Sequence, residues 1–245
     1  IRQAMAVSSN IALAKIVTEG YGGSAKKFVK KLKNMGLCDS VDYTIPGAKQ
    51  ALINVPNDTV TISKMAYGYS VELSPLQMLT FYNGIANDGK MITPLIVKEI
   101  RKNGKVIEEF ESSVIRSSMC SDATLESIRE CLHDVVWNDT LGTASVNPWG
   151  TRKAQSDLVA IAGKTGTAQI LEKGYSNRRH RMSFVGYFPE DNPQYTCICV
   201  IHGPQWPYDA GMDCGSVVRH IAEKTMAYAG EYVIKNGRLE IVVNK

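Results

Sequence analysis

Hydrophobic positions recur along this chain with two different periods, helical through the first half and strand-like toward the end. From Asn10 to Val17, Leu13, Ile16 and Val17 fall at helical spacing, and Gly20 suits the left-handed position that follows a helix. Ser24 opens a second helix in which Ala25, Phe28, Val29 and Leu32 share one face, the lysines lie elsewhere and Gly36 ends the run. Ser74-Pro75-Leu76-Gln77 combines a capping Ser, Pro at the first helical position and Gln three residues after the cap, which predicts a well-marked helix ending before Gly89. Leu125, Ile128, Leu132 and Val135 predict another amphipathic helix, ending before Gly142.

Residues 95–111 predict a hairpin, with Ile96 to Ile100 and Val106 to Phe110 on either side of Asn103-Gly104, and a Ser-rich connector follows from Ser112 to Ser121. Three apolar runs then predict neighbouring strands: Leu158 to Ala162, Met182 to Phe188 and Tyr195 to Ile201. The run Thr196 to Ile201 lacks polar alternate positions, so it is expected to be a central strand covered on both faces. Val217, Val218, Ile221, Ala222 and Thr225 form a last amphipathic helix, suited to covering one of those faces. Residues 231–245 predict a terminal hairpin about Asn236-Gly237. The sum is α+β: a helical portion followed by a mainly antiparallel sheet with covering helices.

The 245 residues are enough for one large core or two modest ones. A net charge of +4 arises from 28 basic and 24 acidic residues, a mixture that argues against nucleic acid as a partner. No run approaches the roughly 20 apolar residues of a membrane helix. The opening residues, Ile1 to Val7, read as the last turns of an apolar helix without a cap or initiator Met, so the chain is expected to be cut from a longer one. The six cysteines, Cys38, Cys120, Cys131, Cys197, Cys199 and Cys214, form no CxxC pair and no metal-ligand spacing with the four histidines. Neither a metal nor another cofactor is expected, and the thiols are expected to be mostly buried and without a catalytic part.

Candidate chemistry gathers at two places. Ala162-Gly163-Lys164-Thr165-Gly166-Thr167-Ala168-Gln169 follows an apolar run, and at an exposed strand edge it would pair with an extended peptide, Gly166 allowing close approach. Lys164 brings positive charge and Thr165 and Thr167 bring hydroxyls, all suited to a terminal carboxylate. Ser8-Ser9-Asn10 lies 156 residues earlier, between a helix end and a helix start, where Ser and Asn commonly serve as caps. Lys-Thr-Gly alone is a common tripeptide, most often a strand leading into a turn; it is the pair of motifs that is specific.

Around these motifs the sequence resembles the class B penicillin-binding proteins, a family of peptidoglycan D,D-transpeptidases. The likeness runs in order through Met5-Ala6-Val7-Ser8-Ser9-Asn10, Ala66-Tyr67-Gly68-Tyr69, Leu73 to Gln77, Ala86-Asn87-Asp88-Gly89, Ala162 to Gln169 and Ser183-Phe184-Val185-Gly186-Tyr187-Phe188-Pro189, covering nearly the whole chain. The last segment resembles the septal, cell-division branch. The resemblance implies the penicillin-binding-protein and serine β-lactamase fold, with residues 1–245 forming part of one transpeptidase domain.

It also implies acyl transfer, in which a serine attacks the bond between two terminal D-alanines of a stem peptide and a neighbouring stem's amine resolves the acyl-enzyme. Carried over by position, Ser8 relays a proton to the leaving group, Asn10 holds a substrate amide and Lys164 holds Ser8 and adds positive potential. Ser9, Thr165, Gly166 and Thr167 fall to substrate binding, the Thr167 amide being one oxyanion donor. The implied partners are peptidoglycan stem peptides, β-lactam antibiotics and, through regions outside this chain, membrane proteins of the division machinery. The implied location is the periplasmic face of the inner membrane, with an N-terminal anchoring helix outside this chain.

The family's nucleophilic Ser-x-x-Lys belongs before Ser8, and none stands there. Ser24-Ala25-Lys26-Lys27 has the letters, but it follows Ser8 and sets Lys27 roughly 150° from the apolar face, so it is expected to be a cap and a solvated lysine. A serine β-lactamase shares the fold, but its class A form needs a Glu-x-x-x-Asn deacylating loop, which is not expected between Asn10 and Lys164. A β-lactam-sensing receptor or inactive binding scaffold is the non-enzymatic alternative. His180, in Arg178-Arg179-His180-Arg181, is expected in an exposed basic turn, with the edge of the cleft as its other reading.

Overall fold

The chain folds into two units, because its first eight residues pack with its last half. The structure, a computed structural model, describes residues 1–38, 51–53, 55, 59–170, 179–204, 208–229, 232–235 and 238–241. One unit comprises residues 9–125 and the other residues 1–8 with 126–245. No shift in composition marks either boundary, so sequence reading takes the chain as one partial domain. The Asn236-Gly237 turn and Arg178 lie outside the described residues.

Helix α1 (Arg2–Ala6) is short and buries Ala6. Ser8 then adopts a positive φ of 52°, a conformation that costs a non-glycine residue energy. Helix α2 (Asn10–Gly20) starts immediately afterwards, and α3 (Ala25–Asn34) is capped by Ser24. Strand β1 (Leu52–Ile53), helix α4 (Thr59–Met65) and strand β2 (Val71–Glu72) follow. Val17, Tyr21 and Phe28 pack around buried Ala25, Val29, Ile62 and Met65, so the apolar faces read from the sequence of α2 and α3 meet α4.

Helix α5 (Pro75–Ala86) shows why its signal is strong: Gln77 N–H donates to Ser74 Oγ at 3.2 Å, and Ser74 N–H donates back to Gln77 Oε1 at 2.9 Å. Strands β3 (Met91–Ile92) and β6 (Val114–Arg116) pair antiparallel, enclosing in sequence a hairpin of β4 (Glu99–Lys102) and β5 (Lys105–Glu109). Asn103 and Gly104 turn that hairpin with φ of 52° and 79°, the double positive-φ geometry that Asn-Gly favours.

Helix α6 (Asp122–Trp137) carries Val135 and Val136 into the core of the unit holding residues 126–245. Strands β7 (Ala162–Ile170), β8 (Arg179–Phe188) and β9 (Tyr195–His202) form an antiparallel sheet in the order β7-β8-β9. A short π turn, Gly211–Gly215, leads into α7 (Ser216–Tyr228), whose Val218, Ala222 and Met226 pack with Met182, Phe184 and Phe188 of β8. Strands β10 (Tyr232–Lys235) and β11 (Arg238–Ile241) pair as a terminal hairpin.

Three expectations are corrected here. Among the described residues the central strand of the sheet is β8, not the run from Thr196 to Ile201, which lies on the edge as β9. Cys197, Cys199 and Ile201 of β9 pack on the core while the strand stays half-buried, so its uniformly apolar pattern reflects partial cover rather than a central place. Leu158 to Ile161 is not a strand: Leu158 N–H donates to Ser156 Oγ at 3.1 Å and Trp137 Nε1–H donates to the Ile161 carbonyl at 3.0 Å, so this run is tied down by side chains before pairing begins at Ala162. No disulfide joins the cysteines, yet only Cys131 and Cys214 are buried, the other four being half-buried.

Candidate active site

The site is built on β7. Among the described residues β7 pairs only with β8, so its other edge presents unpaired backbone, the arrangement by which an extended peptide adds to a sheet. Lys164 is the third residue of this strand, opposite Val185, and Gly166 stands opposite Ser183. A Cβ at Gly166 would lie 2.6 Å from Ser183 Oγ, which is the local reason for glycine there.

Across 156 residues of sequence, Lys164 Nζ donates to Ser8 Oγ at 2.8 Å. The same ammonium reaches the Thr165 carbonyl at 3.1 Å and Thr165 Oγ1 at 3.4 Å, which accounts for all three of its hydrogens. Burial pushes Lys164 down from its ordinary value to about 8, because a charge withdrawn from water is destabilised. A group with that pKa changes protonation near neutral pH and is suited to moving a proton.

The expected residues divide among the two units. Ser8, Lys164, Thr165, Gly166 and Thr167 lie in one, with Thr167 exposed on β7 opposite Met182. Ser9 and Asn10 begin the other. Ser9 Oγ accepts the Ala12 N–H at 3.3 Å, so the hydroxyl expected to meet substrate caps α2. Asn10 is exposed and lines an open groove of about 460 Å³ with Ala14, Thr18, Ser63 and Tyr67 of its own unit. Ser24 Oγ accepts the Lys27 N–H at 3.4 Å and Lys27 is exposed, which leaves Ser24 a cap and Lys27 a surface charge.

Other expectations change. The letters Glu-x-x-x-Asn do occur between the motifs, as Glu99 to Asn103, but they form β4 and the tip of a hairpin, where Arg101 donates to Glu99 Oε1 at 2.7 Å. They make no deacylating loop. Arg179, His180 and Arg181 belong to β8 and not to a turn, because they continue its pairing with β7 out to Ile170. His180 stands opposite Gln169, and Tyr208 Oη lies 2.6 Å from its Nδ1. Burial pushes the Cys214 thiol up to about 12 and raises Cys131 and Cys197 as well, which keeps these sulfurs protonated and poorly nucleophilic.

One residue beside the motifs escaped sequence reading. Thr143 Oγ1 lies 2.7 Å from Thr165 Oγ1, and the Thr143 N–H donates to the Ala6 carbonyl at 3.2 Å. Lys153, itself buried, donates to the Thr143 carbonyl at 3.2 Å and to Asp209 Oδ2 at 2.7 Å. The signal in the sequence is slight: Gly142-Thr143-Ala144-Ser145 is a run of small residues after α6. A Cβ at Gly142 would come within 2.7 Å of the Asn138 and Val135 carbonyls, so this run packs tightly against the helix end.

Comparison with known proteins shows the family. The family described as "Penicillin binding protein transpeptidase domain" matches residues 1–227. Penicillin-binding protein PbpB of Mycolicibacterium smegmatis is 30% identical over 188 residues, covering 74% of this chain and 28% of the relative. A peptidoglycan D,D-transpeptidase FtsI homolog of Mesostigma viride is 30% identical over 173 residues, 64% of this chain and 27% of the relative. This chain thus spans less than a third of these relatives' length. The crystal structure of penicillin-binding protein 3 from Mycobacterium tuberculosis complexed with aztreonam superposes with a TM-score of 0.75 at 22% identity, covering 98% of this chain and 54% of that one. With the family matched over nearly its full length and the paired motifs joined by a hydrogen bond, the chain belongs to the penicillin-binding protein transpeptidase family.

Proposed function

We propose that this chain is the part of a class B peptidoglycan D,D-transpeptidase that binds the stem peptide and moves the proton, in an enzyme of the septal, cell-division type. The observation that carries the reading is the 2.8 Å hydrogen bond from Lys164 Nζ to Ser8 Oγ, since proton transfer requires hydrogen-bond reach. The nucleophile is a serine of a Ser-x-x-Lys segment outside these residues. Its Oγ attacks the penultimate D-alanine carbonyl as its proton passes to the lysine of that segment, the C–N bond breaks, and the leaving amine takes a proton through Ser8, which Lys164 supplies in turn. An amine from a neighbouring stem then displaces the serine and forms the cross-link.

Thr165 and Thr167 hold the terminal carboxylate, Gly166 permits the close approach, Asn10 holds a substrate amide, and the Thr167 N–H stabilises the oxyanion. A β-lactam enters as a substrate mimic and stays on the serine; the aztreonam complex of the related structure supports this. The enzyme acts at the periplasmic face of the inner membrane, anchored and joined to division proteins through regions outside these residues. Among the described residues no helix is long and apolar enough to cross a membrane.

Intact mass spectrometry after incubation with a labelled penicillin tests the proposal. The full-length protein is expected to gain one penicilloyl group at a serine upstream of Ile1, and the isolated chain none. A penicilloyl group on the isolated chain, at Ser24 or any other serine, overturns the assignment, as does an unlabelled full-length protein.

A further inference from the structure

Thr143 is joined to both motifs by separate groups. Its N–H holds the carbonyl of Ala6, two residues before Ser8, and its hydroxyl lies 2.7 Å from that of Thr165, the residue after Lys164. Its own carbonyl is fixed by Lys153, which Asp209 holds in turn at 2.7 Å. Asp209 is itself tied down, accepting the Met212 N–H at 3.0 Å through Oδ1. Gly211 packs directly over the Thr143 carbonyl, where a side chain would collide. Thr143 therefore has little freedom to move, and whatever its hydroxyl does to Thr165 is built into the fold.

A threonine hydroxyl has one hydrogen and two acceptor sites. Lys164 Nζ, 3.4 Å from Thr165 Oγ1, occupies one acceptor site with a donor that cannot accept. If Thr143 donates into the second, the single hydrogen of Thr165 has no acceptor left among the hydrogen-bond partners of the described residues and points away from both neighbours. Resting on the transpeptidase reading above, we propose that Thr143 is a positioning residue: its hydroxyl donates to Thr165 Oγ1 and so commits the Thr165 hydrogen to the terminal carboxylate of the substrate. Were the bond to run the other way, the Thr165 hydrogen would be consumed by Thr143 and Thr165 would meet the carboxylate with a lone pair, which repels it.

The two directions give opposite signs on mutation, and the substrate's charge separates both from a structural effect. The experiment measures acylation of the full-length protein by a penicillin and by its methyl ester, in wild type, Thr143→Val, Thr143→Ser, Thr165→Val and the Thr143→Val/Thr165→Val double variant. Thr143→Val is expected to lower the acylation efficiency of the free carboxylate about five- to tenfold, mainly by raising the half-saturating concentration. The ester is expected to change by less than about twofold, because its neutral carbonyl accepts a much weaker hydrogen bond than a carboxylate does. Thr143→Ser restores the wild-type value, and Thr143→Val adds nothing in the Thr165→Val background. An equal loss for acid and ester, an unchanged or improved efficiency for the acid, or additive losses in the double variant overturns the proposal. Should Thr143→Val fail to fold, the ratio of acid to ester efficiency in Thr165→Val and Thr143→Ser decides it, since a serine that does not preserve the wild-type ratio is inconsistent with a donated hydroxyl hydrogen. Failure of the underlying reading looks different: the wild-type protein itself is then not acylated.

Discussion

Lys164 and Ser8 are hydrogen-bonded at 2.8 Å although 156 residues separate them, and the ammonium that makes this bond is held at a cost. Burial lowers its pKa from 10.5 to about 8. Below pH 8 the lysine is charged in both the folded and unfolded chain, and the folded state bears the full penalty. Between about 8 and 10.5 the unfolded chain binds more protons, so stability rises with pH; above 10.5 both forms are neutral and the penalty is gone.

Lys164→Met should abolish activity and remove this pH dependence of stability. The desolvation relieved at pH 7 is equivalent to about 3 kcal/mol, and the three hydrogen bonds lost with the ammonium, about 0.5–1.5 kcal/mol each, offset part or all of it. Chemical denaturation across pH checks this: relative to wild type, the variant should lose stability as the pH passes from about 8 toward 10.5. A difference between the two proteins that stays constant across that range contradicts it.

Ser8→Ala should remove the proton path and leave the rest of the site in place. Acylation of the full-length protein by a penicillin is expected to fall about a hundred- to ten-thousandfold. In the wild type, acylation should also decline above a pH of about 8, where Lys164 loses the proton it supplies. Rapid-mixing measurements of adduct formation read both effects. That alkaline decline should be absent from the residual activity of Ser8→Ala, and its persistence would assign the titration to another group.

Gly163→Ala tests the close approach of β7 and β8 beside the site. A Cβ there would lie 2.5 Å from the Val185 carbonyl and 2.6 Å from Phe184 Cζ, so backbone as well as side chain must shift. The expected loss is about 1–3 kcal/mol, seen as a lower denaturant midpoint with an unchanged slope. Gly20→Ala, at the end of α2 with open space around it, is the control and should be neutral or slightly stabilising.

Local chemistry made much of this protein legible in one dimension. Ser24, Ser74 and Gln77 announced helix starts because a capping side chain bonds to amides only three residues away. Asn103-Gly104 announced its hairpin because both positions need a positive φ. Ser8 and Lys164 were paired through the spelling and order of family motifs, which record a tertiary relationship that no local rule contains. What only the tertiary structure decided depends on partners distant in sequence. The apolar run of β9 reads like a central strand, but which strand lies between two others is set by pairing, and β8 takes that place. Leu158 to Ile161 reads like a strand until Trp137, 24 residues away from Ile161, bonds to it. Thr143 carries no periodicity, cap or motif; its importance comes from the 2.7 Å approach of one hydroxyl to another, and such a contact exists only once Thr143 and β7 have packed together. The lowered pKa of Lys164 has the same origin, since the sequence supplies the ammonium and the folded surroundings remove its water.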